Sequence, residues 1–235
     1  MTTPQTKAPD LQLFTSNSTR AVMAELLPEF ERATGTHVKA SYDPALVMLK
    51  RIGDGETADL AILGQAAIDD LAAKGKIVPD SRRTLARCGV GIGVLAGAPK
   101  PDISTVDALK RALLAAKSIC HTTRGASGIH FSGVIERLGI ADEVKAKAVT
   151  NEGGLIGELV VRGEAELAVQ QVPELMAVPG IDLVGPLPQE LQSISVVTAG
   201  IFAGSKQAAQ ARALLEFLAT PASSRVFRAK GLEPA

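Results

Sequence analysis

With 235 residues, 46% of them hydrophobic and 21% charged, the chain is long enough to bury a full core and too apolar to stay disordered. Lysine plus arginine and aspartate plus glutamate balance at 25 each, beside one tyrosine, six phenylalanines and no tryptophan. That leaves no basic footprint or base-stacking platform for nucleic acid, and the lack of any apolar run of spanning length argues against direct membrane insertion.

Residues 1–10 are polar, without the basic start and hydrophobic stretch of an export signal. The expectation is a cytoplasmic protein if Met1 is the native start, and a periplasmic one if a signal peptide has been trimmed away. Residues 11–15 read as a short strand, and residues 20–33 repeat apolar side chains at helical spacing with Gly35 as the stop. Alternation over 37–42 predicts a second strand, and 45–52 returns to helical spacing. Residues 58–63 form a compact apolar strand ending at Gly64, and a helix over 68–73 follows. Strand and helix alternating in this way call for a parallel sheet with helices on its faces.

An apolar run over 88–96 closes on Gly97-Ala98-Pro99-Lys100-Pro101, a loop signal. The alternation then restarts: a helix over 105–115, a strand over 118–121, helices over 127–138 and 155–161, and a strand over 167–170. Past Pro173 come a short helical piece and an apolar segment over 181–184. A second long apolar run over 193–202 and two helices, 207–219 and 222–229, complete the chain. The two long runs bracket the middle unit. They predict an α/β protein of two lobes, residues 11–88 with 195–235 forming one and residues 89–194 inserted as the other, each a parallel-rich sheet flanked by helices.

Two hydroxyl-rich turns each lead from a strand into a helix, Phe14-Thr15-Ser16-Asn17-Ser18-Thr19 and Thr122-Thr123-Arg124-Gly125-Ala126-Ser127-Gly128. Each should aim unpaired backbone N–H groups and a helix dipole at one small anion held between the lobes. Ser16, Asn17 and Ser18 are the candidate donors after the first strand, and Asp43 and Gly64-Gln65 hold the equivalent position after the second and third. Arg124 offers a planar fork for a carboxylate, and Ser127 sits at a helix start. Gly153, in Glu152-Gly153-Gly154, and Gln171, after Gln170, complete the ligand set. Ordinary helix capping, worth about 1 kcal/mol, is the competing explanation for the first turn.

Catalytic signals are thinner. There is no Walker-type run, no nucleophile elbow and no Rossmann glycine triplet. His121 and His130 are placed for proton transfer, against the alternative of packed structural histidines, and Asp43 or Glu152 are weaker candidate bases. Cys88, Cys120, His37, His121 and His130 show no metal-ligand spacing, and no cofactor is called for. Each cysteine lies in an apolar stretch, which predicts buried free thiols.

Four segments then carry a resemblance. Leu11-Gln12-Leu13-Phe14-Thr15-Ser16-Asn17-Ser18, Phe30-Glu31-Arg32-Ala33-Thr34-Gly35, Ala58-Asp59-Leu60-Ala61-Ile62 and Arg162-Gly163-Glu164-Ala165-Glu166-Leu167-Ala168-Val169 occur in the order found in the molybdate-binding proteins of bacterial uptake transporters. More broadly, the chain resembles the type 2 periplasmic-binding-protein fold. The resemblance implies an interlobe anion site with Ser18 as its first serine, Ser127 and Gly153 as backbone donors, and a transporter permease as partner if the protein is exported. The chain departs from that pattern where Asp43-Pro44-Ala45-Leu46 lacks a second serine and where Gln171 replaces a tyrosine. Asp43 would repel a tetrahedral dianion and Arg124 suits a carboxylate, which speaks against molybdate itself. Gly185-Pro186-Leu187-Pro188-Gln189-Glu190-Leu191-Gln192 and Gly125-Ala126-Ser127-Gly128-Ile129-His130-Phe131 are similar to an aconitate-isomerase-like branch. That branch implies a cofactor-independent allylic proton shift on a small polycarboxylate.

Overall fold

The computed structural model describes residues 9–235, so the polar segment 1–8, on which most of the export reading rests, lies outside the described residues. From the start, β1 (Leu11–Thr15) runs through a 3-10 turn (Asn17–Thr19) into α1 (Arg20–Thr34), then β2 (Val38–Tyr42), α2 (Ala45–Gly53), β3 (Leu60–Gly64), α3 (Gln65–Ala73) and β4 (Arg83–Cys88). Gly89 alone separates β4 from β5 (Val90–Leu95). Next come α4 (Val106–Ala115), β6 (Ile119–Thr122), α5 (Ala126–Arg137), α6 (Ala141–Lys145), β7 (Ala148–Asn151), α7 (Gly157–Val161), β8 (Leu167–Gln171), α8 (Val172–Met176) and β9 (Ile181–Pro186). The chain closes with β10 (Ser195–Ile201), α9 (Ala208–Leu218), α10 (Pro221–Ala229) and β11 (Glu233–Pro234).

The strands make two sheets, ordered β11-β4-β10-β3-β1-β2 and β7-β6-β8-β5-β9, each flanked by helices. Where strand and helix alternate, pairing is parallel as expected: β1 with β2 and β3, and β6 with β7 and β8. The other strands are antiparallel to their neighbours, so both sheets are mixed rather than parallel-rich. The reason is connectivity. A strand that arrives from the other sheet has no crossover helix to turn it round, and β5 and β10 both arrive that way. The apolar run over 88–96 is accordingly split, with Cys88 closing a strand of the first sheet and Val90 opening one of the second. The run over 193–202 is mostly β10 and belongs to the first sheet.

Amphipathic spacing explains the cores. Val22, Met23, Leu26, Leu27 and Phe30 recur on one face of α1 and bury against Leu11 and Leu13 of β1. Each fully buried side chain of this kind is worth about 1.5–3 kcal/mol. In the second unit Phe131, Val134 and Ile135 of α5 do the same against Ile92 and Val169. Cys88 and Cys120 are free and buried, and desolvation pushes both thiols up to about 12.

The two chain crossings are tied together by side-chain amides. Val90 N–H donates to Gln192 Oε1 at 2.7 Å while Gln192 Nε2 donates back to the Val90 carbonyl at 2.9 Å, which imitates a strand partner. Beside them Gln171 Nε2 donates to Ser195 Oγ at 2.7 Å. No described helix is long and apolar enough to cross a membrane.

Candidate functional site

The carboxyl ends of β1 and β3 in the first sheet and of β6 and β8 in the second meet at one cleft. It is walled by Ser16, Asn17 and Ser18, by Pro44 and Ala45, and by Gly64 from the first unit. Thr122, Gly125 and Ala126, Gly153 and Gly154, and Gln170, Gln171 and Glu174 face them from the second, with Ser195 and Val197 at the crossing. This is where open α/β sheets gather helix starts and bind ligands.

The local chemistry follows from what those helix starts lack. The turn before α1 and the starts of α2, α3 and α5 carry no side-chain cap, whereas α4 and α10, which begin elsewhere, are capped by Thr105 and Thr220. Among the described residues, the backbone N–H groups of Asn17, Ser18, Ala45, Ala126 and Gly153 have no hydrogen-bond acceptor. The Thr122 hydroxyl is buried and also unpartnered. Orphan donors and dipole ends of this kind bind negative charge. None of the lining residues carries a basic side chain.

Internal bonds hold this wall in place. Ser16 Oγ and Ser18 Oγ lie 2.8 Å apart, and Thr15 Oγ1 and Thr19 Oγ1 lie 2.6 Å apart, fixing the first turn. Gln170 is 1% exposed and braces the Gly154 loop, accepting from Ile156 N–H at 2.9 Å and donating to the Gly154 carbonyl at 2.8 Å. Its role is to support the loop. Across the cleft, Gly153 sits so close to the Pro44 ring that a Cβ there would lie 2.4 Å from Pro44 Cγ.

Of the residues expected at the site, Ser16, Asn17, Ser18, Gly153 and Gln171 line the cleft together. Five do not. Arg124 points outward, half exposed, and pairs with Glu152 at 3.0 Å, because the glycine after it starts the helix and leaves the side chain on the solvent side. Asp43 is bound by Arg51, which also holds Glu56 and lies 4.8 Å above the Phe14 ring, so its charge is compensated away from the cleft. Ser127 is buried one residue inside α5, behind Ala126. His121 packs edge-on against Phe131 and its Nδ1 donates to the Thr122 carbonyl at 3.1 Å. His130 donates from Nε2 to the Leu191 carbonyl at 2.7 Å, in a separate shallow depression beside Arg137 and Glu190. Both histidines are occupied in structural bonds.

Glu174 and Ser195 were not anticipated. Glu174 is 8% exposed, at the third position of α8, and burial pushes its carboxyl up to about 8 against the opposing pull of the Gln171 N–H and of Arg20. The pattern Gln171-Val172-Pro173-Glu174 reads in sequence as a plain helix start with an acidic residue in its first turn. Nothing local reveals that the turn faces the other sheet.

Known proteins share this architecture. The Azotobacter vinelandii periplasmic molybdate-binding protein superposes with a TM-score of 0.80 at 18% identity, over 95% of this chain and 98% of that one. A sulfate-binding protein of Mycobacterium tuberculosis gives 0.75 at 17% identity, over 97% and 88%. At the sequence level the chain is 34% identical over 230 residues to an aconitate isomerase of a Pseudomonas species, spanning 95% of this chain and 87% of that protein. The sequence pattern of the bacterial extracellular solute-binding proteins runs unbroken through residues 11–233, through both sheets and every turn of the cleft, and the chain belongs to that family.

Proposed function

We propose that this chain captures one small anion between two lobes, residues 11–88 with 195–235 and residues 89–194, using neutral donors rather than lysine or arginine. The observation that carries the reading is the convergence of unpaired N–H groups from both sheets, Asn17, Ser18 and Ala45 opposite Ala126 and Gly153, on one cleft. Each hydrogen bond to a charged oxygen is worth about 1.5–3 kcal/mol, so four or five reach the ~8 kcal/mol of a micromolar complex after ordering losses. A carboxylate of the aconitate type is the preferred solute, on the strength of the 34% identical relative. In an exported form such a receptor hands its solute to a membrane permease. A thermal-shift series with cis-aconitate, trans-aconitate, sulfate, molybdate and neutral glycerol tests this. An anion at ~1,000 times its Kd should raise Tm by roughly 10 °C. A shift with glycerol and none with any anion sinks the reading.

The same relative favours a second reading, in which the bound solute is also isomerised. A proton leaves the CH2 carbon of cis-aconitate, the double bond moves across the allyl unit, and a proton returns at the far carbon, with no net redox change. Incubation with cis-aconitate in heavy water, followed by NMR, should then show trans-aconitate carrying deuterium. Tight binding with unchanged cis-aconitate after a day leaves a receptor alone.

A further inference from the structure

The cleft wall described above is built of neutral groups with one exception. Glu174 lines the same cavity as the Asn17 and Ser18 donors, is 8% exposed, and among the described residues its carboxyl forms no ion pair and no bond to another side chain. A bare carboxylate there would face the bound anion at close range, uncompensated by any basic group on the wall. A carboxylic acid in the same place adds a donor to the set.

We propose that Glu174 meets the bound anion as a neutral acid and donates its proton in a hydrogen bond to it, so that capture of the solute is coupled to one proton on this side chain. The proposal rests on the anion reading of the cleft. No covalent bond changes; the proton stays shared between Glu174 and the solute.

The surroundings keep the acid form. Burial raises the carboxyl to about 8, before any anion is added. A negative charge beside it raises it further, since like charges disfavour ionisation. The charged groups around it have partners of their own. On α1, the Arg20 guanidinium is stacked 4.3 Å from the Tyr42 ring and pulls the Glu174 carboxyl down by less than burial raises it, and Glu25 is paired with Lys230 at 3.0 Å. Behind it, Cys88 titrates near 12, and Tyr42 is raised above its ordinary value. On β9, Asp182 is engaged by Gly97 N–H at the exposed end of the strand. The turn Asn17–Thr19 and strands β5 and β8 contribute no titratable side chain to α8.

The sign is that of a raised acid. Binding competence is full below the carboxyl's folded value and is lost as pH rises through about 8. With only the protonated fraction competent, the apparent Kd weakens roughly tenfold between pH 7 and pH 9. Isothermal titration with trans-aconitate and with sulfate, both fully ionised over this range, reads the effect. Wild type should show that tenfold loss, with uptake approaching one proton per anion above pH 8.5, measured in buffers of differing ionisation enthalpy. Glu174→Gln, a neutral isostere that cannot ionise, should show the same Kd at pH 9 as at pH 7, whatever that Kd is relative to wild type. A wild-type Kd that is flat from pH 7 to pH 9, or a Glu174→Gln variant that keeps the tenfold loss, overturns the assignment while the anion reading stands. Failure of both anions to bind wild type at pH 7 overturns the two together.

Discussion

Replacing Gly128 by alanine is expected to cost this protein roughly 3 kcal/mol or more, read as a fall in Tm of about 6–12 °C, while the same change at Gly133, five residues further along α5, should be neutral or stabilising. A Cβ at Gly128 would stand 1.7 Å from the Thr122 carbonyl oxygen and 2.6 Å from its carbonyl carbon. Both are backbone atoms at the end of β6, so no rotamer change relieves the clash and the helix start must lift. At Gly133 nothing lies within 4 Å, and alanine there gains about 0.5–1 kcal/mol of helix propensity. Propensity alone would give both substitutions the same sign. The lift also displaces Gly125 and Ala126, so anion affinity should fall at temperatures where Gly128→Ala is still folded. Urea denaturation of the two variants checks the energies, and a Gly128→Ala protein within 1 kcal/mol of wild type contradicts the close contact.

The fold was legible because it is written in periods. Helical spacing placed α1 from Arg20 to within one residue of its end, and short apolar-rich stretches marked β1, β3 and β8, since these elements bury one continuous face or a whole strand. What escaped has little burial to announce it. β4 interleaves Arg83 and Arg87 with its apolar residues, β7 is a four-residue half-exposed edge, α6 is five residues long, and β11 is two. The parallel-rich expectation failed for a different reason. Strand direction in β5 and β10 is set by the route of the chain between sheets, which local pattern does not encode.

The site was legible where chemistry and backbone coincide. Ser16, Asn17 and Ser18 line the cleft in a turn that follows a legible strand, so position was enough, whereas Gly153 was found from its place before a helix and from the family resemblance. Arg124 and Asp43 sit in such turns too, but a long or charged side chain takes its direction from partners, here Glu152 and Arg51, that are distant in a sequence pattern or ambiguous within it. The loss of these two from the cleft also removes the electrostatic case against an inorganic oxyanion, because Asp43 is compensated and Arg124 is absent from the wall. What then distinguishes the solute is the shape of the cleft and the one acid in its wall. Neutral donors suit either class: an anion stripped of water is held by several partial charges at fixed distances rather than by one full charge.

Gly153→Ala should weaken anion binding by about 10–100-fold while leaving the fold nearly as stable as before. The alanine Cβ would fall 2.4 Å from Pro44 Cγ and 3.1 Å from Cδ, a contact between a loop of one sheet and a stiff ring of the other. Gly153 lies outside the positive-φ set, so alanine adopts its backbone without strain, and on the proposed reading of a cleft that closes around its anion the cost arises only in the closed form. Overpacking of this size typically costs 1–3 kcal/mol, and a penalty confined to the closed form appears in full as lost affinity. Pro44 Cβ, by contrast, stands at 3.8 Å, ordinary contact distance. Trimming the ring in Pro44→Ala/Gly153→Ala should therefore recover most of the lost affinity, and the cycle of the two single variants and the double isolates the coupling. Titration with trans-aconitate and urea denaturation of all three separate closure from stability. Additive losses in the double variant would mean that Gly153 and Pro44 do not meet when the anion is bound, and that the cleft closes on its solute in some other geometry.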